Sequence, residues 1–153
     1  MKIDLDRRNA YSGSRYREAR MNENLSDTDI EFRIMDERDW AKYVNRIPGG
    51  IYYSIRLKDS KEMVGYVGIC PKKDSIEVYI FEEHRKKSYA YASVKAFSEL
   101  YVNGVITGKK EAKVEADIHM DNDAAVGLAE KIGFERQCVV KTTSSFYHYV
   151  LKY

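Results

Sequence analysis

Across residues 75–102 the spacing of apolar side chains switches from every second residue to every third or fourth, with a short basic loop between the two patterns. Residues 75–81, SIEVYIF, put Ile76, Val78 and Ile80 on one face of an extended chain and Glu77, Tyr79 and Phe81 on the other. From about Lys87 to Val102 the apolar positions Ala90, Val94, Phe97 and Tyr101 form the stripe of an amphipathic helix. A strand that runs straight into a helix start has a consequence at the junction. The first helical amides lack internal acceptors, and the helix dipole is positive there. With Arg85, Lys86 and Lys87 beside those amides and Ser88 in position to cap, the junction suits an anion such as a diphosphate. The same residues also suit a solvated charged loop with an ordinary N-cap, and this segment alone does not separate the two readings.

The rest of the chain extends the pattern. IEFRIM (30–35) alternates like a strand, and Asp36 can cap a short helix to about Arg46 that carries Trp40 and Val44. Pro48-Gly49-Gly50 would end it. The runs 51–58 and 63–70 read as a hairpin around Asp59–Glu62, and Pro71–Asp74 turns the chain into 75–81. Asn103-Gly104 stops the long helix. KVEADIH (113–119) alternates again, with Glu115, Asp117 and His119 on one side. Asp121 can cap a second helix, about 122–132, ended by Gly133. Strands at 134–140 and 145–153 complete an α/β order of β-α-β-β-β-α-β-α-β-β. Helices between strands, together with hairpins, predict a mixed sheet with helices on both faces.

Size and charge exclude several classes. One domain is expected from 153 residues, and 44% hydrophobic content supports a core. The first 29 residues hold six basic and six acidic side chains with few aliphatics, so they read as a polar, partly disordered arm ahead of a domain at 30–153. A formal net charge of +2 gives no global pull toward nucleic acid or anionic membrane. Cys70 and Cys138 are too few for a disulfide framework and lack zinc-ligand spacing, so no metal is expected and a reducing, cytoplasmic setting is the simplest reading. No apolar run approaches the roughly 18 residues of a membrane span.

Two motifs carry a family resemblance over about Ile30 to Tyr153. Arg85-Lys86-Lys87-Ser88-Tyr89-Ala90 resembles the acyl-CoA-binding pattern Arg/Gln-x-x-Gly-x-Gly/Ala of the GNAT family of N-acetyltransferases. Asn122 to Phe134, NDAAVGLAEKIGF, is similar to that family's Asn-x-x-Ala-x-x-Leu-Tyr-Glu-Lys-x-Gly-Phe. The wording is closest to the branch of ribosomal-protein and small-amine acetyltransferases. The resemblance implies an acyl-CoA N-acyltransferase fold of six or seven strands whose central strands, here 75–81 and 113–119, splay apart. Acetyl-CoA would lie in the opening. Its pantetheine arm would pair near Ile80 and Phe81, and its pyrophosphate would rest on the amides of Arg85, Lys86, Lys87, Ser88, Tyr89 and Ala90. Asn122 would reach the pantetheine arm, and Lys131 would approach the cofactor.

The implied activity is acetyl transfer from acetyl-CoA to a primary amine in a ternary complex. It needs a group to take the amine's proton. Asp117 matches the glutamate of Leu-Glu-Val-Arg-x-x-Asn in protein N-terminal acetyltransferases of this family, and Glu77 on the neighbouring strand is the second candidate. Either can equally be a solvated strand residue. His119 can relay protons; His84 and His148 read as surface residues. The chain departs from the pattern at Ser88, where the family prefers glycine, and at Ala129, where many members carry the tyrosine thought to protonate the thiolate. Tyr79 is a candidate replacement. These departures motivate the rival reading of a catalytically silent acyl-CoA-binding regulatory module. Edge strands expected at 145–153 leave a strand-mediated homodimer open.

Overall fold

Alternation builds the strands that the sequence predicts. In the computed structural model, which describes residues 18–35, 38–39, 49–137 and 145–153, seven strands and two long helices are defined. They are β1 (Ile30–Ile34), β2 (Ile51–Leu57), β3 (Met63–Cys70), β4 (Ser75–Ile80), α1 (Tyr89–Val102), β5 (Lys113–His119), α2 (Asp123–Ile132), β6 (Glu135–Arg136) and β7 (Phe146–Lys152). One sheet holds all seven, in the order β1-β2-β3-β4-β5-β7-β6. Every neighbouring pair is antiparallel except β4 and β5. No helix among the described residues is long and apolar enough to cross a membrane.

The helix α1 lies on the sheet face that carries Phe32, Tyr53, Val67 and Val114. Phe97 is fully buried there, with its ring edge-on to Phe32 at 5.9 Å and tilted against Tyr53 at 6.0 Å. The helix α2 packs beside α1 on the same face, where the Tyr149 hydroxyl bonds Glu130. Of the helix expected at 37–46, residues 38 and 39 are described as helical. Asp39 accepts both bonds from Arg56 on the opposite face of β2. Asp36, Trp40, Val44 and Pro48, like Cys138 and the 138–140 part of the sixth strand, lie outside the described residues. Cys70 is buried and free.

Three details differ from expectation. The described part of the polar arm, residues 18–29, packs on the core, because Met21 and Leu25 lie four apart and fall on one face of the turn beneath α1. Burying them contributes roughly 1.5–3 kcal/mol each, which offsets part of the entropy lost in ordering the segment. Asn22 then grips the backbone of Phe32 from both sides, Oδ1 accepting its N–H at 2.6 Å and Nδ2 donating to its carbonyl at 3.0 Å. Second, β7 is not the outermost strand: it lies between β5 and β6, and the described β6 pairs with it at Tyr149 and Val150. Third, α2 is capped by Asn122, whose Oδ1 accepts from the Ala125 N–H, and not by Asp121.

The parallel junction is where the sheet opens. β5 is paired with β7 along its whole length, from Lys113 to His119. Against β4 it is paired only at Ser75 and Glu115, where the Glu115 N–H donates to the Asp74 carbonyl at 2.8 Å. Tyr101 of α1, fully buried, donates its hydroxyl to Asp74 Oδ1 at 2.5 Å and pins this closed end. Burial and the Asp74 carboxylate push the Tyr101 phenol well above its usual range. Beyond Ser75 the two strands part.

Candidate functional site

Register decides which backbone groups face the opening. The Phe81 N–H donates to the Val64 carbonyl on β3. In an antiparallel ladder alternate residues turn their amides to the partner, so Glu77, Tyr79 and Phe81 are committed to β3. The N–H and C=O groups of Val78 and Ile80 point the other way, toward the gap that β5 has left. Arg85 Nε takes the Ile80 carbonyl at 2.9 Å, while its guanidinium lies 5.4 Å from the centre of the Tyr79 ring. The Phe81 amide is therefore not a donor into the gap, contrary to the pairing expected there, because β3 already holds it.

A cleft of about 680 Å³ runs from the end of β4 along the start of α1 to α2. Ile80, Arg85, Lys86, Ser88, Tyr89, Ala90, Asn122 and Lys131 all line it, so the two sequence motifs meet across one cavity. Lys87 lies outside it, on a separate groove of about 610 Å³ between α1 and residues 24–29. Phe81 is not part of the cleft wall. Among the described residues the lining includes Arg85, Lys86 and Lys131 and no carboxylate. Lys131 Nζ sits 4.7 Å from the centre of the Tyr91 ring, which fixes its charge on the rim. The cleft is thus electropositive and opens onto the N-terminus of a 14-residue helix.

Ser88 explains why the motif prefers glycine. It sits at φ 63° and ψ 17°, in the left-handed region, and its side chain makes no cap bond. The capping role expected for it is absent because the left-handed backbone turns the side chain away from the first helical amides. Lys86, at φ 64°, also adopts a left-handed conformation. Two left-handed residues in three bend the loop tightly between Phe81 and Tyr89, and a glycine would take either conformation without the steric cost.

At the throat of the wedge a smaller cavity of about 220 Å³ is lined by Val78, Ala116, Asn122 and Ala129; Glu77 and Asp117 border it along their strands and turn their carboxylates to the opposite sheet face. Glu77 accepts the Tyr52 hydroxyl at 3.0 Å on one oxygen and the Tyr66 hydroxyl at 3.2 Å on the other. Gly68 makes this possible, since a Cβ there would meet the Tyr52 ring at 2.3 Å. Tyr66 stacks in turn on Tyr79, with centroids 5.8 Å apart, and Tyr79 is largely exposed and reaches the cleft wall. Asp117 is more open, its side chain 62% exposed, and its Oδ1 lies 2.7 Å from His148 Nδ1. His119 is also at the throat; its Nδ1 accepts the Asp121 N–H at 3.2 Å. Ala129 is buried, so α2 brings no hydroxyl to the throat at that position.

Two histidines read from sequence as surface residues are not simply that. His148 bridges Asp117 and Glu115, with Nε2 2.9 Å from Glu115 Oε1. The Asp117 contact raises its pKa above the ordinary imidazole value; partial burial opposes this, and Glu115 adds to it. The signal for it lies in the pairing of β5 with β7, which sets Asp117 directly opposite His148. His84 lies in the turn Glu82–His84, is 8% exposed and lines the cleft. Among the described residues neither of its ring nitrogens has a hydrogen-bond partner, and Glu62 Oε1 is 3.5 Å from Nε2 outside bonding geometry.

Comparison with known proteins bears on the fold. The fold is similar to that of an acetyltransferase from Agrobacterium tumefaciens str. C58, with a TM-score of 0.65 and 14% identity over 81% of this chain and 91% of the other. It is similar to the spermidine N-acetyltransferase from Vibrio cholerae solved with CoA and spermine, with a TM-score of 0.63 and 12% identity over 81% of this chain and 95% of that one. The Microcin C7 self immunity acetyltransferase MccE, solved with acetyl-CoA and AMP, shares the fold at a TM-score of 0.53 and 13% identity, over 69% and 62% of the two chains. No curated protein matches the sequence. Residues 6–135 match the family model described as an acetyltransferase (GNAT) domain, and since this is most of its length, the chain belongs to the GNAT family of acetyltransferases.

Proposed function

We propose that the protein moves an acetyl group from acetyl-CoA to a primary amine by direct attack, with both substrates held together in the wedge between β4 and β5. The observation that carries this reading is the division of charge. The cleft has cationic side chains and, among the described residues, no carboxylate in its wall, whereas the opposite sheet face beside the same gap carries the carboxylates of Glu77 and Asp117. The first arrangement suits the phosphates of CoA, and the second suits a protonated amine that must lose a proton.

The residues divide the work as follows. The amides of Ser88, Tyr89 and Ala90 take the diphosphate, with Arg85, Lys86 and Lys131 adding charge. The outward backbone groups of Val78 and Ile80 pair with the pantetheine arm, and Asn122 approaches it from α2. The oxyanion donor is the Val78 N–H, one outward position deeper into the gap than Ile80, since the Phe81 N–H is bound to β3. Asp117 is the base. Glu77, with a tyrosine hydroxyl on each oxygen, holds the amine as a cation. The CoA thiol, with a pKa near that of cysteine at about 8.5, leaves without a strong acid. Holding amine and thioester side by side supplies much of the rate.

Thiol release from acetyl-CoA over a panel of polyamines, aminoglycosides, amino acids and peptide N-termini tests the proposal. Release with at least one amine, lost in Asp117→Ala while acetyl-CoA still binds, is the expected result. Acetyl-CoA binding without release for any amine contradicts it and favours a silent acyl-CoA-binding module.

A further inference from the structure

The proposed base does not stand alone on its strand. Asp117 and Glu115 are two residues apart on β5 and share a face, and His148 of β7 stands between them with one ring nitrogen on each carboxylate, at 2.7 and 2.9 Å. Two nitrogen–oxygen contacts of that length each need a proton between them. A neutral imidazole carries one. The array therefore closes only when it holds a second proton, either as an imidazolium or as a neutral imidazole beside a protonated Asp117. We infer that Asp117 and His148 act as one proton-accepting dyad, in which His148 is a positioning residue that orients Asp117 and shares the proton taken from the acceptor amine. This rests on the acetyl-transfer reading above.

The surroundings define the dyad's states. On β5, Lys113 Nζ lies 3.4 Å from Glu115 Oε1, which ties Glu115 to a cation and leaves it the acceptor of the Nε2 proton. Toward the throat the next groups on this face are His119 and Phe146, with rings 5.2 Å apart. On the far side β6 brings Glu135 opposite Val150, two residues along from His148, and the Gln137 N–H binds the His148 carbonyl at 2.8 Å and fixes the backbone. The His148 side chain is 37% exposed, so a proton reaching the ring can pass to solvent.

The step balances with no further reactant. At low pH both contacts hold a proton, and the dyad cannot accept another. Once it has lost one, His148 keeps Nε2–H on Glu115 and turns a bare Nδ1 toward Asp117. The amine's proton then passes, directly or through water, to Asp117 and on to Nδ1. The amine nitrogen is left with a lone pair to attack the thioester carbonyl. The acid limb of the rate profile is consequently set by the dyad, not by a lone carboxylate.

The test compares the full-length wild type with His148→Gln. Glutamine can still donate to Asp117 but cannot titrate. At saturating acetyl-CoA, the wild-type kcat/KM for the amine should rise with pH through a midpoint above the ordinary imidazole value of about 6.5. In His148→Gln that midpoint should move down by at least about one pH unit, toward the carboxylate range. Its kcat at pH 8 should fall roughly tenfold, less than the roughly 100-fold or more expected for loss of the base itself, with the Kd for acetyl-CoA unchanged. In parallel, the ring resonances of His148 should titrate above 6.5 in the wild type and at lower pH in Asp117→Asn. Coincident acid limbs in wild type and His148→Gln, with transfer intact, overturn the dyad and leave the acetyl-transfer reading standing. A ring titration that ignores Asp117→Asn also overturns it. A wild type that binds acetyl-CoA and acetylates no amine overturns both.

Discussion

Replacing Ser88 with glycine should stabilise the protein. The reasoning starts from one backbone angle. Ser88 holds φ 63° and ψ 17°, where a residue with a Cβ costs about 1–2 kcal/mol and glycine costs nothing. Its side chain caps nothing, so its removal forfeits no cap bond. Glycine also loosens the unfolded chain, which works against stability by about 0.4–1 kcal/mol. The difference runs from about zero to about 1.6 kcal/mol in favour of Ser88→Gly, with a centre near ~0.8 kcal/mol. For a chain of this size that raises Tm by about 2–3 °C. Urea and thermal unfolding followed by circular dichroism would measure it. Two controls sharpen the test. Ser88→Ala keeps the Cβ and should change stability by less than about 0.5 kcal/mol, whereas Ser88→Val should cost more than about 1 kcal/mol, because branching at Cβ fits the left-handed region worst. The same glycine lets a diphosphate approach the loop more closely, so the Kd for acetyl-CoA should fall. A Ser88→Gly protein less stable than wild type, with Ser88→Ala neutral, would refute the left-handed assignment and the explanation of the motif's glycine.

Three further outcomes follow from other contacts. Tyr101→Phe strips the bond that pins Asp74 at the closed end of the wedge, and should cost about 1–3 kcal/mol in urea denaturation and speed hydrogen exchange at the Glu115 amide, which leans on Asp74. Asn122→Ala removes the α2 cap and should cost about 1 kcal/mol while also raising the Kd for acetyl-CoA, a pairing of effects that calorimetry and denaturation read separately. Because the folded pKa of His148 lies above its unfolded value of about 6.5, its stabilising contribution is complete below that pH and is lost as pH rises through the folded value. The urea midpoint should therefore decline over that interval in wild type and decline less in His148→Gln.

The parts legible in the sequence are those fixed by local period. Ile76, Val78 and Ile80 gave β4 its inner face, and the stripe through Val94, Phe97 and Tyr101 gave α1, because a single alternation or helical repeat reports which side must leave water. The meeting of Arg85, Lys86 and Ser88–Ala90 with Asn122 and Lys131 followed from two motifs placed in the order strand, helix, strand, helix. What escaped was set by relations across strands or by single backbone angles. His148 gains its partners only through the register of β7 on β5, and no periodicity within β7 marks it. Ser88 looked like a cap because serine is a common one; its left-handed backbone is imposed by the loop's path. Asn122 took the cap from Asp121 because the chain reaches helical angles one residue later. Met21 and Leu25 are two apolar side chains in a charged segment, and their burial depends on the position of α1, which composition does not report.

The account rests on the gap beyond Ser75 and Glu115, where β5 leaves the outward backbone groups of β4 without a strand partner beside a cationic cleft. Amide chemical-shift mapping with acetyl-CoA tests it most directly. Saturable shifts should concentrate at Val78, Ile80, Ser88–Tyr91 and Asn122, with one molecule bound per chain. A folded protein whose resonances at those positions do not move at millimolar acetyl-CoA, or whose shifts gather instead at Asn24, Asp27–Asp29, Lys95 and Glu99 across the groove beside Lys87, would contradict it.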